Sequence, residues 1–253
     1  METFIALLNT IMPYISMPAG IVLLILVAIH AGKLMGWKPA LEMLGVGWVV
    51  AYVLEEIGVH TGIIYGDYYF TKLMGPKLDV IPVALPCLWV VLLYIAWVMT
   101  NLILDGTPYP EHFTHGRILA GAVLASMVVT TLDLNADPFA VDNGWWVWID
   151  KGAYFGVLVH NFIGWFIVAF ISYMIHGYQL RHSGPKNLET ASIHARRWSI
   201  APLAVYAVAW IAFMVINFDQ KLGLVTFYLY GIPLFAACWR WAKWYQATKK
   251  ESC

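Results

Sequence analysis

Long apolar runs dominate this sequence and restrict what it can fold into. About 20 mostly apolar residues form an α-helix long enough to cross the hydrocarbon core of a bilayer. Seven such runs lie near residues 11–31, 40–58, 80–104, 116–135, 152–178, 199–217 and 221–245. We therefore predict an all-α polytopic membrane bundle of about seven transmembrane helices, with residues 1–253 forming a single integral-membrane domain.

Composition excludes several other classes of protein. Hydrophobic residues make up 61% of the chain and charged residues 12%, whereas a typical soluble domain has about 45–50% and about 25%. A water-soluble globule is therefore excluded, and so is a disordered chain, since disorder needs low hydrophobicity and high net charge. Lys plus Arg and Asp plus Glu are balanced at 15 each. No basic surface that would attract nucleic acid is predicted.

The distribution of charges predicts an orientation in the membrane. Cytoplasmic loops are enriched in Lys and Arg, and this pattern places the N-terminus outside and the C-terminus in the cytoplasm. The predicted cytoplasmic bases are Lys33, Lys38, Arg117, Arg181, Lys186, Arg196, Arg197, Arg240, Lys243, Lys249 and Lys250. The predicted outer acids are Glu2, Glu55, Glu56, Asp67, Asp79, Asp133, Asp137, Asp142, Asp150 and Asp219. We expect a multi-pass protein of the cell (inner) membrane.

Several of the outer acids stand inside apolar helices, where an ionisable side chain is costly and marks a candidate functional site. Glu55 and Glu56 end one apolar run, and because neighbours on a helix point about 100° apart, only one of them can face a given cavity. Asp133 and Asp137 have the spacing that places both on one helix face, although Pro138 favours an extended backbone at Asp137. The structural alternative is that these acids cap helices or form ion pairs.

Aromatic residues are interleaved with these acids in two outer segments. The segments read EEIGVHTGIIYGDYYFTKLMGPKLDVIP and LDLNADPFAVDNGWWVWIDKGAYFG. An interfacial aromatic belt would explain isolated Trp and Tyr residues. Carboxyl groups and ring faces together suit chemistry through a carbocation, because a carboxylic acid can protonate an alkene and rings stabilise the resulting cation. His60 and His160 are either proton relays or ordinary interior histidines.

Other membrane chemistries lack the residues that they require. Membrane di-iron enzymes need several histidine clusters, but only His112 and His115 lie close together in the sequence. A retinal protein needs a lysine midway along its last helix, whereas Lys221 and Lys243 lie near the ends of that run. A glycine-rich phosphate loop or dinucleotide fingerprint is also missing. We therefore expect no metal and no cofactor.

The motifs EEIGVHTG, YGDYYF, LMGPKLDVIP, VALPCLW, TLDLNADP, WWVWIDKGAYFGV and NFIGW lie in this order over roughly residues 55 to 165. In these motifs the chain resembles the carotenoid biosynthesis membrane-protein family that includes the CruF-type carotenoid 1',2'-hydratases, also called bisanhydrobacterioruberin hydratases. The resemblance implies cofactor-independent addition of water to the terminal C=C of an acyclic carotenoid, through a tertiary carbocation.

The resemblance and the residue patterns agree on the candidate site residues. The candidate catalytic acids are Glu55, Glu56, Asp133, Asp137 and, from a loop that could fold over the pocket, Asp67. The candidate substrate-binding residues are Tyr65, Tyr69, Trp148, Tyr154 and Asn161. The implied partners are an acyclic carotenoid or other polyprenyl substrate, the lipid bilayer and downstream carotenoid-modifying enzymes. The alternatives are a carotenoid end-group cyclase or isomerase, and a non-enzymatic transporter or lipid-binding protein.

Overall fold

The computed structural model describes residues 2–110, 112–183, 198–216 and 221–250, and within them the chain forms seven helical rods. The first six are α1 (Glu2–Met35), α2 (Trp37–Thr61), α3 (Ala84–Asp105), α4 (His115–Asp142), α5 (Val159–Ser183) and α6 (Ala201–Ile216). The seventh, α7, consists of Lys221–Val225, a π-helical turn at Thr226–Tyr230 and Gly231–Lys250. The predicted all-α class is confirmed.

Five of the described helices are long and apolar enough to cross a membrane, namely α1, α3, α4, α5 and α7. The chain is therefore a multi-pass membrane protein. Of the other two helices, α2 contains the glutamate pair in its last two turns and α6 has only 16 residues. The orientation of the termini stays a prediction. Four of the charges used for it lie outside the described residues: Lys186, Arg196, Arg197 and Asp219.

Helix α3 forms the centre of the bundle. It is apolar on all sides, and most of its residues are buried. A helix of this kind is stable only where other helices cover every face, and α3 packs against α1, α2, α4, α6 and α7. Helices α4 and α5 pack along each other beside it. In contrast, α1 exposes much of its apolar surface, as expected for a helix that faces lipid.

One end of the bundle is closed by two connections, residues 62–83 and 143–158, which we call the cover. The cover contains the short strands β1 (Tyr68–Phe70), β2 (Lys77–Leu78), β3 (Ile81–Pro82) and β4 (Trp146–Trp148). Strands β1 and β4 pair antiparallel, while β2 and β3 form a hairpin. The β1–β4 pairing joins the two connections, so the cover lies as one layer over the ends of α2 to α5.

The cover is inserted into the bundle through Tyr65. Its ring lies between Gly58 of α2 and Gly164 of α5, where a Cβ atom on Gly58 would lie 2.5 Å from the ring and one on Gly164 would lie 2.6 Å from it. A Cβ on Gly164 would also lie 2.5 Å from the backbone oxygen of Ile64. The two glycines therefore allow α2 and α5 to hold this ring.

We expect Gly164→Ala to destabilise the protein by about 1–3 kcal/mol, because the added methyl group meets both a ring and a backbone oxygen that has little freedom to move. Thermal unfolding of the purified protein in detergent measures this effect. Gly45→Ala in α2 is the matched control, since nothing lies within 4 Å of its added methyl group. We expect Gly45→Ala to be neutral or slightly stabilising. Equal unfolding temperatures for the two variants would contradict the close packing of Tyr65.

Candidate active site

Two aspartates and one asparagine form a buried cluster under the cover. Asp133 and Asp137 lie one turn apart on α4, and Asn161 faces them from the first turn of α5. All three side chains are buried. The Asn161 amide nitrogen donates to Oδ2 of Asp133 at 3.0 Å and also to Oδ2 of Asp137. One amide group thus draws an oxygen from each carboxyl group to the same point.

A third carboxyl group, that of Glu55, faces the same region from α2 and is only 3% exposed. The Tyr68 hydroxyl of the cover donates to its Oε2 at 2.5 Å, and the Trp89 indole nitrogen of α3 donates to its Oε1 at 3.0 Å. Each oxygen of this carboxyl group therefore has a donor. The two hydrogen bonds offset part of the cost of removing a polar group from water.

A cavity of about 20 Å³ lies among Glu55, Asp137 and Asn161, which is room for about one water molecule. Its other lining residues are Tyr65, Tyr68, Phe70, Leu85, Trp146, Trp148 and Trp165. Within the described ranges, no Lys, Arg or His forms an ion pair with Glu55, Asp133 or Asp137. The site thus combines three buried carboxyl groups with an almost entirely aromatic wall.

Tyr68 lies at the centre of this aromatic wall. Its ring centroid is 4.8 Å from that of Trp148, 5.2 Å from that of Phe70 and 6.0 Å from that of Tyr65. Burial, and next the neighbouring Glu55 carboxyl group, raise the pKa of Tyr65 and of Tyr68 well above the ordinary value. Both phenols therefore remain neutral near pH 7 and offer ring faces and O–H donors to the cavity.

The helix that carries the two aspartates continues through Pro138, so the expected extended backbone at Asp137 is wrong. Proline has no N–H to bond the carbonyl four residues earlier. That carbonyl, of Leu134, accepts a hydrogen bond from the Tyr154 hydroxyl at 3.1 Å instead. Burial raises the pKa of Tyr154 to about 12, which keeps the hydroxyl available as a donor. Tyr154 thus compensates for the proline and keeps both aspartates on one face.

Comparison with known proteins identifies the family. The family model described as carotenoid biosynthesis protein matches residues 16–236. The chain belongs to this carotenoid biosynthesis family. The resemblance noted in the sequence motifs is thereby confirmed, and the whole site described above lies inside the matched range.

A curated relative is similar over part of the chain. It is the bisanhydrobacterioruberin hydratase of Haloarcula japonica, 27% identical over 135 residues, which is 53% of this chain and 43% of the relative. The match therefore spans less than half the length of that relative. No solved structure matches the chain.

Six of the ten predicted site residues come together in the structure: Glu55, Tyr65, Asp133, Asp137, Trp148 and Asn161. The choice between the two glutamates follows from helix geometry. Glu55 continues the buried stripe of α2 that includes Gly47, Ala51 and Gly58. This spacing of three and four residues is a signal from which Glu55 could have been selected in the sequence.

The other four predicted residues lie elsewhere. Glu56 turns away from the cavity and lies 3.2 Å from the exposed imidazole of His60. Asp67 is exposed beside Gly62, so its loop does not bring it over the cavity. Tyr69 is 51% exposed, because it alternates with buried neighbours along β1. Tyr154 supports the backbone of α4 instead of lining the cavity.

The predicted site residues did not include Tyr68, Trp89, Trp146 and Trp165, although Tyr68 and Trp146 lie in the two segments that combine acids with aromatic residues. Tyr68 and Tyr69 are adjacent in a strand, so one of them had to face inward, but nothing local indicates which. Trp89 and Trp165 lie within apolar helices and stack with their ring centroids 4.0 Å apart. In the sequence they are indistinguishable from ordinary core residues. His60 and His160 are both exposed, so neither is an interior histidine.

We expect Tyr154→Phe to destabilise the protein by about 1–3 kcal/mol, since it leaves the Leu134 carbonyl without a donor. Pro138→Ala supplies an N–H that can bond the same carbonyl. The cost of Tyr154→Phe should therefore be smaller in the Pro138→Ala background. Unfolding of the wild type, both single variants and the double variant in one detergent measures this coupling.

The matched control is Tyr69→Phe, which removes a hydroxyl from an exposed tyrosine of the same cover. We expect its effect on stability to stay within about 0.5 kcal/mol. The role of Tyr154 as a partner for the helix carbonyl is wrong if its replacement costs the same with and without Pro138.

Proposed function

We propose that this protein adds water to the terminal C=C of an acyclic carotenoid by acid catalysis. The observation that carries the proposal is a water-sized cavity with aromatic walls, lined by the buried carboxyl groups of Glu55 and Asp137. Asn161 links Asp137 to a third buried carboxyl group, that of Asp133, and none of the three has a basic partner among the described residues. Membership of the carotenoid biosynthesis family supports the substrate class. The name of the partly matching relative supports hydration as the reaction.

The aspartate pair is the proposed proton donor. Two carboxyl groups that bind the same amide nitrogen lie too close for both to be ionised without a neighbouring cation. We propose that Asp133 and Asp137 share one proton. That proton forms a C–H bond with the less substituted carbon of the terminal alkene, using the π electrons. The positive charge is then left on the tertiary carbon.

Glu55 is the proposed proton acceptor. Its two hydrogen bonds both come from donors, Tyr68 and Trp89, which hold the carboxyl group in place, and each of its oxygens keeps a second lone pair that can accept a proton. A water molecule in the cavity would donate to Glu55 while its oxygen attacks the tertiary carbon. The water proton passes to Glu55 and returns to the aspartate pair. The cycle consumes only alkene and water, and it needs no redox cofactor.

The aromatic wall is the proposed stabiliser of the cation. Each ring face within about 6 Å of a positive charge contributes roughly 0.5–2 kcal/mol. Tyr68, Trp148 and Trp165 line the cavity next to the carboxyl groups. These ring faces would lower the energy of the cation, and they offer no lone pair that could form a bond to it. Water held by the polar cluster would then be the nucleophile in reach.

Entry of the substrate requires the cover to move. The cavity has room for about one water molecule, and a branched alkene end group is larger than that. The β1–β4 layer carries Tyr68, Trp146 and Trp148 over the cavity, and we propose that it shifts when the end group binds. The polyene would approach from the bilayer, in the cell membrane, and the alcohol product would pass to downstream carotenoid-modifying enzymes.

Expression in a host that accumulates lycopene tests the reaction. We expect a product heavier than lycopene by one molecule of water, detected by chromatography with mass spectrometry. A new product with the mass of lycopene would contradict hydration and indicate cyclisation or isomerisation. In those reactions the cation reacts with another alkene of the same molecule or loses a proton, so no water is added. Unaltered lycopene in cells that contain the folded protein would contradict activity on this substrate.

Substitutions in the cluster test the assigned roles. We expect Asp137→Asn and Glu55→Gln each to lower the rate of product formation by about 10²–10⁴-fold, the usual contribution of a general acid or base. Asp142→Asn is the matched control, because Asp142 lies on the same helix but is exposed. Product formation should be measured at equal amounts of folded protein. An Asp137→Asn variant as active as Asp142→Asn would remove Asp137 from the mechanism.

A further inference from the structure

A second cluster of ionisable side chains lies outside the cavity, on a different face of α2 from Glu55. Glu56 and His60 lie one turn apart near the end of α2, and Asp79 reaches them from the turn between β2 and β3. Nε2 of His60 is 3.2 Å from Oε2 of Glu56 and 3.3 Å from Oδ2 of Asp79. The three ligand atoms all lie within 4.8 Å of one another.

We propose that Glu56, His60 and Asp79 bind a divalent transition-metal ion of the zinc class. One imidazole nitrogen and two carboxylate oxygens form a donor set that suits such ions. Tetrahedral ligands about 2.0–2.1 Å from a metal are separated by about 3.3–3.4 Å. Both distances from the His60 nitrogen already match this separation. The two carboxylate oxygens lie no more than 4.8 Å apart, so a bound ion would require at most a modest approach of these two side chains, and it would leave a fourth position for water.

The local charge also favours a cation. Among the described residues, neither Glu56 nor Asp79 forms an ion pair with Lys or Arg, so His60 is their common partner. Oε1 of Glu56 is buried, and the Tyr52 hydroxyl lies within hydrogen-bonding reach of this carboxyl group. The Tyr52 hydroxyl, one turn earlier on α2, donates to the Leu78 carbonyl at 3.5 Å. This contact places the residue before Asp79 against α2.

Metal binding would fasten the cover to α2. Asp79 belongs to the β2–β3 hairpin, whereas Glu56 directly follows Glu55 on the helix. The same connection carries Tyr65 and Tyr68 into the cavity. A bound ion would therefore restrain the connection beside the cavity without touching the cavity itself. Its proposed role is structural, in fixing the β2–β3 hairpin to α2 while the β1–β4 layer moves.

The test uses the full chain, purified in detergent without an affinity tag and stripped with EDTA. Titration with Co²⁺ should give one equivalent of binding with the visible absorption of a tetrahedral site, and Zn²⁺ should displace it. His60→Ala and Asp79→Asn should each weaken Co²⁺ binding by about tenfold or more. His182→Ala, which replaces an exposed histidine at the far end of α5, should bind as the wild type does.

Thermal unfolding provides a second measurement that also reports folding of the variants. Saturating Zn²⁺ should raise the unfolding temperature of the wild type and of His182→Ala, because a ligand of the folded state stabilises it, but not that of His60→Ala. The metal site is wrong if wild type and His60→Ala give the same Co²⁺ titration, or if His182→Ala loses binding equally. Both measurements are made without carotenoid, so their outcome is independent of the proposed hydration.

Discussion

Three carboxyl groups buried within an apolar bundle are the constraint on which the rest of this structure depends. Glu55, Asp133 and Asp137 lie at most 3% exposed, and burial of such groups is costly unless hydrogen bonds replace the lost water. The replacements come from three separate elements: α5 supplies Asn161, α3 supplies Trp89 and the cover supplies Tyr68. The central packing of α3 therefore positions Trp89, and the pairing of β1 with β4 positions Tyr68, as hydrogen-bond donors to the buried Glu55.

Pro138, Gly58 and Gly164 each weaken a helix locally, but each lies beside a contact with the cover near the buried carboxyl groups. Pro138 interrupts the hydrogen bonding of α4 close to both aspartates, and Tyr154 repairs the interruption from the cover. Gly58 and Gly164 weaken their helices locally, but they admit the ring of Tyr65 between α2 and α5. In both cases a tyrosine of the cover contacts a helix at the position where proline or glycine weakens it: Tyr154 by a hydrogen bond and Tyr65 by packing. The bundle and its cover consequently form one packing unit at this end.

Much of the fold was predictable because a bilayer demands continuous apolar helices, and the seven runs correspond to the seven helical rods. Part of the site was also predictable, since spacing alone places Asp133 and Asp137 on one face. The remainder depends on contacts between distant segments. Tyr68 faces inward because β1 pairs with β4, and the Leu134 carbonyl that Pro138 leaves without a helical donor is bonded by Tyr154 from the cover. Neither contact leaves a local signal in the sequence.

The arrangement of polar and aromatic groups also bears on how a carbocation would react. A tertiary cation is captured by the nearest electron pair, so an apolar floor favours attack by a neighbouring alkene, whereas a polar floor favours water. In this cavity the aromatic rings form the walls, and Glu55, Asp137 and Asn161 gather around one water-sized space. A water molecule there would have carboxyl and amide partners to hold it. This polarity is the physical reason for proposing hydration instead of cyclisation.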